Sequence, residues 1–224
     1  MREFVALVAV KGNSERVAKK NIRKFHNTNL LDLKLGHLKS VSNLDAIVVS
    51  SEDESVLDMA RAAGVECHKR DPYYSTSHVP MSEVYTYLAS EMDCKNVVWV
   101  PVTNPLAEAD VYEAGIEAYK AMGPEYDCLV SVNELKEYLF LEGKPMNFTP
   151  YPWARSQDLK GVYAINFVVE ILPRESMVKW GSLVGDRPYF YVLDAVTARD
   201  IDFQVDFDFC EMVYRQRHPM DMKT

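Results

Sequence analysis

Short apolar runs alternate with amphipathic stretches over the first two-thirds of the chain, and this order leaves little choice of architecture. Residues 4–10, 46–50, 66–69, 96–100 and 128–132 read as strands. Between them, residues 53–63 place Val56, Leu57, Ala60 and Ala63 on one helical face before Gly64. Residues 80–92 open on Pro80 and turn Val84, Tyr85 and Leu88 inward. Residues 109–122 do the same with Val111, Tyr112, Ile116 and Tyr119, and stop at Gly123-Pro124. Strands that are apolar throughout are buried on both faces, and helices between them make neighbouring strands parallel. The expected fold is therefore α/β, a mostly parallel sheet between helical layers, in one domain over 1–224. Ligands of such sheets bind at the carboxyl ends of the strands. That brings four loops onto one rim: 11–16, 50–53, 70–82 and 101–107.

Regularity breaks at 133–160, a stretch with three prolines, a Glu142-Gly143-Lys144 turn and a group of aromatic residues. It reads as a β-hairpin arm that leaves the sheet and packs on a second copy of the chain. The core resumes at 161–167 and 189–193. In 198–203, strand-like alternation sends Asp200 and Asp202 to one side and Ile201 and Phe203 to the other. A last helix over 205–217 is expected to bury Phe209, Met212 and Val213.

Charge is distributed unevenly. The chain carries a net charge of −8, yet residues 5–24 hold six basic residues against one acid. A basic loop at the end of a buried strand, on an otherwise acidic protein, is a place to hold a small anion. The acidic balance argues against a nucleic-acid or membrane partner, and no apolar stretch approaches the ~20 residues needed to span a bilayer. Cys67, Cys94, Cys128 and Cys210 are widely spaced without a C-x-x-C pair, as expected of buried thiols in the cytoplasm.

Asp200-x-Asp202 places two carboxylates on one face of an extended segment, ~6.5 Å apart by strand rise. Such a pair suits Mg²⁺ when waters and substrate phosphates complete the shell. With the basic loop on the same rim, it points to nucleoside triphosphate chemistry. The loop is neither G-x-x-x-x-G-K-[ST] nor G-x-G-x-x-G, and the chain lacks a G-x-S-x-G elbow. P-loop, dinucleotide-binding and serine-hydrolase readings are therefore set aside.

Five stretches, in order over residues 4–212, resemble the CMP-sugar synthetases, the cytidylyltransferases that activate sialic acid and related keto acids. They are Lys11-Gly-Asn-Ser-Glu-Arg-Val-Ala-Lys-Lys-Asn21, Val48-Val-Ser-Ser-Glu-Asp-Glu54, Thr103-Asn-Pro-Leu106, Lys160-Gly-Val-Tyr-Ala-Ile165 and Asp200-Ile-Asp-Phe-Gln-Val-Asp-Phe207. The resemblance implies a three-layer Rossmann-like fold of the nucleotide-diphospho-sugar transferase type, with a small β-arm at 133–160 that builds a homodimer. It implies that the anomeric hydroxyl of a keto acid sugar attacks the α-phosphate of CTP and releases pyrophosphate. Lys11, Gly12, Asn13, Ser14, Arg16 and Lys20 would hold the triphosphate, and Asn21, Arg70 and Ser82 the nucleoside. Lys11, Lys20 and Asp202 would act in catalysis, and Asp200 and Asp202 would bind Mg²⁺. Thr103, Asn104, Arg155 and Tyr163 would meet the sugar; Lys136 and Lys144 are further cations of the arm. The chain departs from the family pattern at Lys11, where arginine is usual, and at Glu15, where lysine is. A nucleotide-binding homologue without catalysis, and a cytidylyltransferase for a non-sugar or phosphonate acceptor, stay open as alternatives.

Overall fold

The computed structural model describes residues 1–12, 17 and 19–219. Seven strands form one sheet: β1 (Arg2–Ala9), β2 (Ala46–Ser51), β3 (Glu66–Lys69), β4 (Cys94–Trp99), β5 (Cys128–Glu134), β6 (Tyr163–Pro173) and β7 (Pro188–Val192). Their order across the sheet is β7-β5-β6-β4-β1-β2-β3. All pairs are parallel except those of β6, which runs antiparallel to both β4 and β5. The expected α/β architecture is what forms, and five of the expected strands match observed ones to within a few residues.

The layers follow from the pleat. Ala6, Val8, Val98 and Val100 point to one face, where α1 (Leu30–Lys39), α2 (Glu54–Ala62), α4 (Ala109–Ala121) and α6 (Gln204–Arg217) pack. Val5, Leu7, Val97 and Trp99 point to the other, covered by α3 (Met81–Ser90) and α5 (Arg174–Trp180). Val56, Leu57 and Ala60 of α2 and Tyr112 and Ile116 of α4 are buried as their spacing requires, and Gly64 ends its helix at φ +71°.

Three expectations need correction. Ile201 is fully buried, but Phe203 is 58% exposed: the segment turns out of extended geometry into the start of α6, so alternation ends one residue early. In α6 the buried face is Phe207, Cys210 and Tyr214, while Met212 is half exposed, because the aromatic pair Phe25 and Phe207 sets the phase of the helix. Helix α1 was not expected at all. Leu30, Leu31, Leu33, Leu35 and Leu38 are buried together with Lys34, and only the narrow stripe of Asp32, Gly36 and Lys39 is exposed, so the amphipathic period is weak. Its start is fixed by Asn29, whose side-chain oxygen accepts the Asp32 N–H at 2.9 Å.

Strand β6 carries an irregularity between Ile165 and Glu170 against β5. Phe167 there sits at φ +53°, and the Val168 and Val169 N–H groups both donate to the buried Ser131 hydroxyl at 3.0 Å. The same hydroxyl lies 3.4 Å from the carboxyl of Glu170, which is wholly inside the sheet. Burial pushes the Glu170 carboxyl up to about 8, against the smaller opposing effect of Ser131.

Candidate active site

The carboxyl ends of β1, β2, β3, β4, β5 and β7 open onto one rim, from which Gly12 and the 50–53, 70–82 and 101–107 loops continue. On the β1–β2–β3 side, the strand ends are tied by two charges, Arg70 buried and Glu52 half-buried. Arg70, 2% exposed, donates from Nη2 to the Val10 carbonyl at 3.2 Å and the Ser50 carbonyl at 2.5 Å, and from Nε to the Ser50 hydroxyl at 3.2 Å. Glu52 accepts the Gly12 N–H at 2.9 Å and the Ser75 hydroxyl at 2.7 Å. Burial alone would raise the Glu52 carboxyl. Ser75, Gly12 and the nearby Arg70 guanidinium outweigh it and hold the group below its usual range. Glu52 thus joins the 11–16, 50–53 and 70–82 loops. Gly12 is needed for that approach, since a Cβ on it would stand 2.1 Å from a carboxylate oxygen of Asp53.

Asn21 closes the basic segment from behind. Its side-chain amide donates to the Lys11 carbonyl at 3.2 Å, and its own carbonyl accepts the Leu31 N–H at 3.0 Å. Lys11 itself is exposed. Asn13, Ser14 and Arg16, expected at the triphosphate, lie outside the described residues. Lys20 is buried, and its Nζ donates to the Ile201 carbonyl. The basic segment therefore touches the backbone between the two aspartates of Asp200-x-Asp202.

On the β5–β6–β7 side lies an open groove of about 710 Å³. Asp200, Asp202, Asp206, Arg199 and Phe203 line one wall, and Asn133, Glu134, Lys136 and Glu137 the other. Asp206 is committed to the backbone: its carboxylate accepts the Phe203 N–H at 2.9 Å and the Asp202 N–H at 3.2 Å. Asp200 and Asp202 line the same groove. They are hard oxygen donors, close in sequence, on a surface that Lys20 joins to the basic segment. That donor set fits one Mg²⁺ shared with phosphate oxygens, and among the described residues no cluster of three or more His, Cys, Asp or Glu forms a self-sufficient metal site.

The other expected site residues fall in four places. The Thr103 carbonyl accepts the Ile201 N–H at 2.9 Å, so Thr103 borders the aspartate segment. Asn104 is fully buried and donates to the Ala198 carbonyl at 3.3 Å, which turns its side chain away from solvent and into the loop. Tyr163 starts β6 opposite Glu134 of the groove, partly exposed and 5.0 Å from Phe190. Arg155 stands in solvent on the arm and grips Asp158 through two bonds, 2.8 and 3.1 Å. Ser82 is not brought to the rim loops. It lines a separate groove of about 450 Å³ between α3 and α5, with Thr86, Trp180 and Gly181. Lys136 donates to the Leu159 carbonyl at 2.6 Å and pairs with Glu134 at 2.8 Å, closing the base of the arm. Sequence reasoning gave no role to Glu52, although it lies within a motif that carried the resemblance. Its partners are 40 and 23 residues away, and no local pattern announces contacts of that range.

Residues 5–167, which hold most of β1 through the start of β6 and all four rim loops, match the Cytidylyltransferase family. The chain belongs to the cytidylyltransferase family. Among individual members it is 23% identical to the post-translational flagellin modification protein B of Campylobacter coli, over 97% of both chains. It is 24% identical to the CMP-N,N'-diacetyllegionaminic acid synthase of Campylobacter jejuni, over 95% of both. The N-acylneuraminate cytidylyltransferase A of Danio rerio is 22% identical over 94% of this chain, which spans half of that longer protein. The fold matches CMP:2-keto-3-deoxy-manno-octonic acid synthetase complexed with CTP, at TM-score 0.68 and 10% identity, over 96% of this chain and 99% of the other. This cytidylyltransferase thus shares the mixed α/β nucleotidyltransferase architecture.

Proposed function

We propose that this cytidylyltransferase transfers CMP from CTP to the anomeric hydroxyl of a keto acid sugar and releases pyrophosphate. One observation carries the reading: Lys20 of the basic segment donates to the Ile201 carbonyl, between Asp200 and Asp202. Cationic and anionic parts of a triphosphate site are thereby brought together across 181 residues of chain. The named relatives support the acceptor class, since the flanking sequence matches run nearly end to end with the legionaminic acid synthase.

Displacement at a phosphorus needs alignment and charge neutralisation more than covalent help. In this reading Lys11, Gly12, Asn13, Ser14, Arg16 and Lys20 hold the triphosphate, with the Gly12 N–H fixed by Glu52. Asn21 and Arg70 set the shape of the nucleotide side by pinning the loop ends. Asp200 and Asp202 hold Mg²⁺, which when bound neutralises phosphate charge. Thr103, Tyr163 and Arg155 face the acceptor, the arginine fork suiting a sugar carboxylate. The cytoplasm, where the four free thiols stay reduced, is the proposed location; among the described residues no helix is long and apolar enough to cross a membrane.

The arm at 133–160 is assigned to a homodimer. Its hairpin, Phe140–Leu141 against Lys144–Pro145, exposes Phe140 and Leu141, and Tyr151 and Trp153 follow, 93% and 61% exposed. Beside it, Tyr163, Ile165, Phe190 and Val192 leave part of one sheet face uncovered. An apolar surface of this extent is typical of a subunit interface.

The test is pyrophosphate release from CTP with a panel of eight- and nine-carbon keto acid sugars, with and without Mg²⁺. Turnover with at least one sugar is expected. Absence of turnover with every sugar refutes the reading.

A further inference from the structure

Lys34 lies in the middle of α1, fully buried, and the proposed mechanism has no use for it. Its Nζ donates to the Asn104 carbonyl at 2.9 Å and to the Ala107 carbonyl at 3.0 Å, and lies within hydrogen-bond reach of the Tyr112 hydroxyl. Both carbonyls belong to the 101–107 loop. From the same loop, the Thr103 carbonyl accepts the Ile201 N–H, and the Asn104 side chain donates to the Ala198 carbonyl. A continuous line of bonds therefore runs from the centre of α1 through the loop to the Asp200–Asp202 segment.

We propose that Lys34 is a positioning residue, which fixes the 101–107 loop from beneath and through Thr103 sets the position of Ile201 and of the acceptor side of the rim. The inference rests on the functional reading above for its kinetic consequence, though not for the tether itself. A long aliphatic stem with a polar tip suits the task, and the tip bonds two buried carbonyls, of which that of Asn104 also accepts the Ala107 N–H at 3.3 Å. The three N–H donors of the tip match the two carbonyls and the Tyr112 hydroxyl. Burial pulls the Lys34 ammonium down to about 7, against the weaker opposing pull of Glu108. Arg217 donates to the Leu106 carbonyl from α6 at 3.1 Å, so the loop is held at its outer edge as well and does not depend on Lys34 to exist.

The test compares Lys34→Met, Lys34→Gln and Tyr112→Phe in the full chain. Hydrogen exchange at the Ile201 amide is measured without ligand, and kcat and KM are measured for CTP and for the best acceptor sugar. Lys34→Met is expected to speed Ile201 exchange about ten-fold as the loop loosens. It is expected to lower kcat/KM for the acceptor by about ten-fold while the KM for CTP stays within about two-fold, the signature of a misplaced acceptor side. Lys34→Gln, with two donors and one acceptor, restores most of both effects. Tyr112→Phe leaves both carbonyls bonded and changes either readout by less than about two-fold. Unchanged exchange in folded Lys34→Met, unchanged acceptor kinetics, or an equal effect of Tyr112→Phe overturns the proposal. If Lys34→Met does not fold, Lys34→Gln against the native chain carries the same comparison: near-native exchange and acceptor kinetics support it, and a loss as large as that expected for the methionine overturns it. A native chain inactive with every sugar refutes the functional reading, while the exchange measurement still decides the tether.

Discussion

On the β1–β2–β3 side of the rim Arg70 is buried and Glu52 half-buried, both tied to loop ends; on the β5–β6–β7 side Arg155, Lys136 and Glu137 stand exposed. Arg70 and Glu52 are spent on carbonyls, a hydroxyl and a glycine N–H. Arg155, Lys136 and Glu137 line an arm and an open groove, and their partners are one another's neighbours. Tight commitment of charge fixes a backbone frame for a ligand that does not change. An exposed set on a short hairpin leaves room for the ligand that does. In the proposed reaction these are CTP and the acceptor sugar.

The seam between the two halves is Asp200–Asp202, and the largest effect is expected there. Asp202→Ala should lower CTP turnover by about 10²–10³-fold, the scale on which preorganised charge acts on a phosphoryl displacement. The circular dichroism spectrum should stay native, because the backbone of the segment is held by Thr103 and Asp206. Full activity in this variant would remove the aspartates from the reaction.

Glu170 sharpens the comparison from below, as a buried ionisable group that serves neither half. Its carboxyl is raised to about 8 in the folded chain from an ordinary 4.5. Its contribution is therefore complete below pH 4.5 and is lost as pH rises to 8, a destabilisation of up to about 5 kcal/mol by linkage. Glu170→Gln keeps an acceptor for Ser131 and removes the titration. In urea unfolding, the stability of the glutamine variant minus that of the native chain should grow steadily between pH 5 and pH 8.5. A constant difference would show that Glu170 does not titrate there.

Arg70→Ala should destabilise the chain by about 2–4 kcal/mol, since it leaves the buried Val10 and Ser50 carbonyls short of a donor. Arg155→Ala should do the reverse. Its pair with Asp158 is exposed and contributes about 0.5 kcal/mol or less, while the KM for the acceptor should rise about ten-fold and that for CTP should not move. A stability loss at Arg155 equal to that at Arg70, by thermal unfolding, would erase the distinction between the halves. Last, Phe140→Ser with Trp153→Ser should turn a dimer into a monomer in light scattering with little change in monomer stability, because both residues are already exposed.

The alternation of strands and helices was legible because Val5–Val10, Val48–Val49 and Val97–Val100 are apolar without interruption, and only a sheet covered on both sides has use for such runs. Asp200-x-Asp202 and the basic segment were legible as well, since both are local patterns of charge. Sequence did not show α1, whose buried face takes in Lys34 as well as five leucines and leaves only Asp32, Gly36 and Lys39 exposed. Nor could it set the phase of α6 or the exposure of Phe203, which depend on Phe25 and on Asp206 holding the turn. Arg70, Asn104 and Lys34 show the limit most clearly. Local sequence marks each as polar and free to meet a ligand or solvent, and the fold buries all three against carbonyls far along the chain. Periodicity and local charge are set by neighbours in sequence, so the chain alone determined its layers and its basic segment at the rim. Which polar groups stay free to meet a substrate is decided by contacts between distant segments, and only the tertiary structure made that choice.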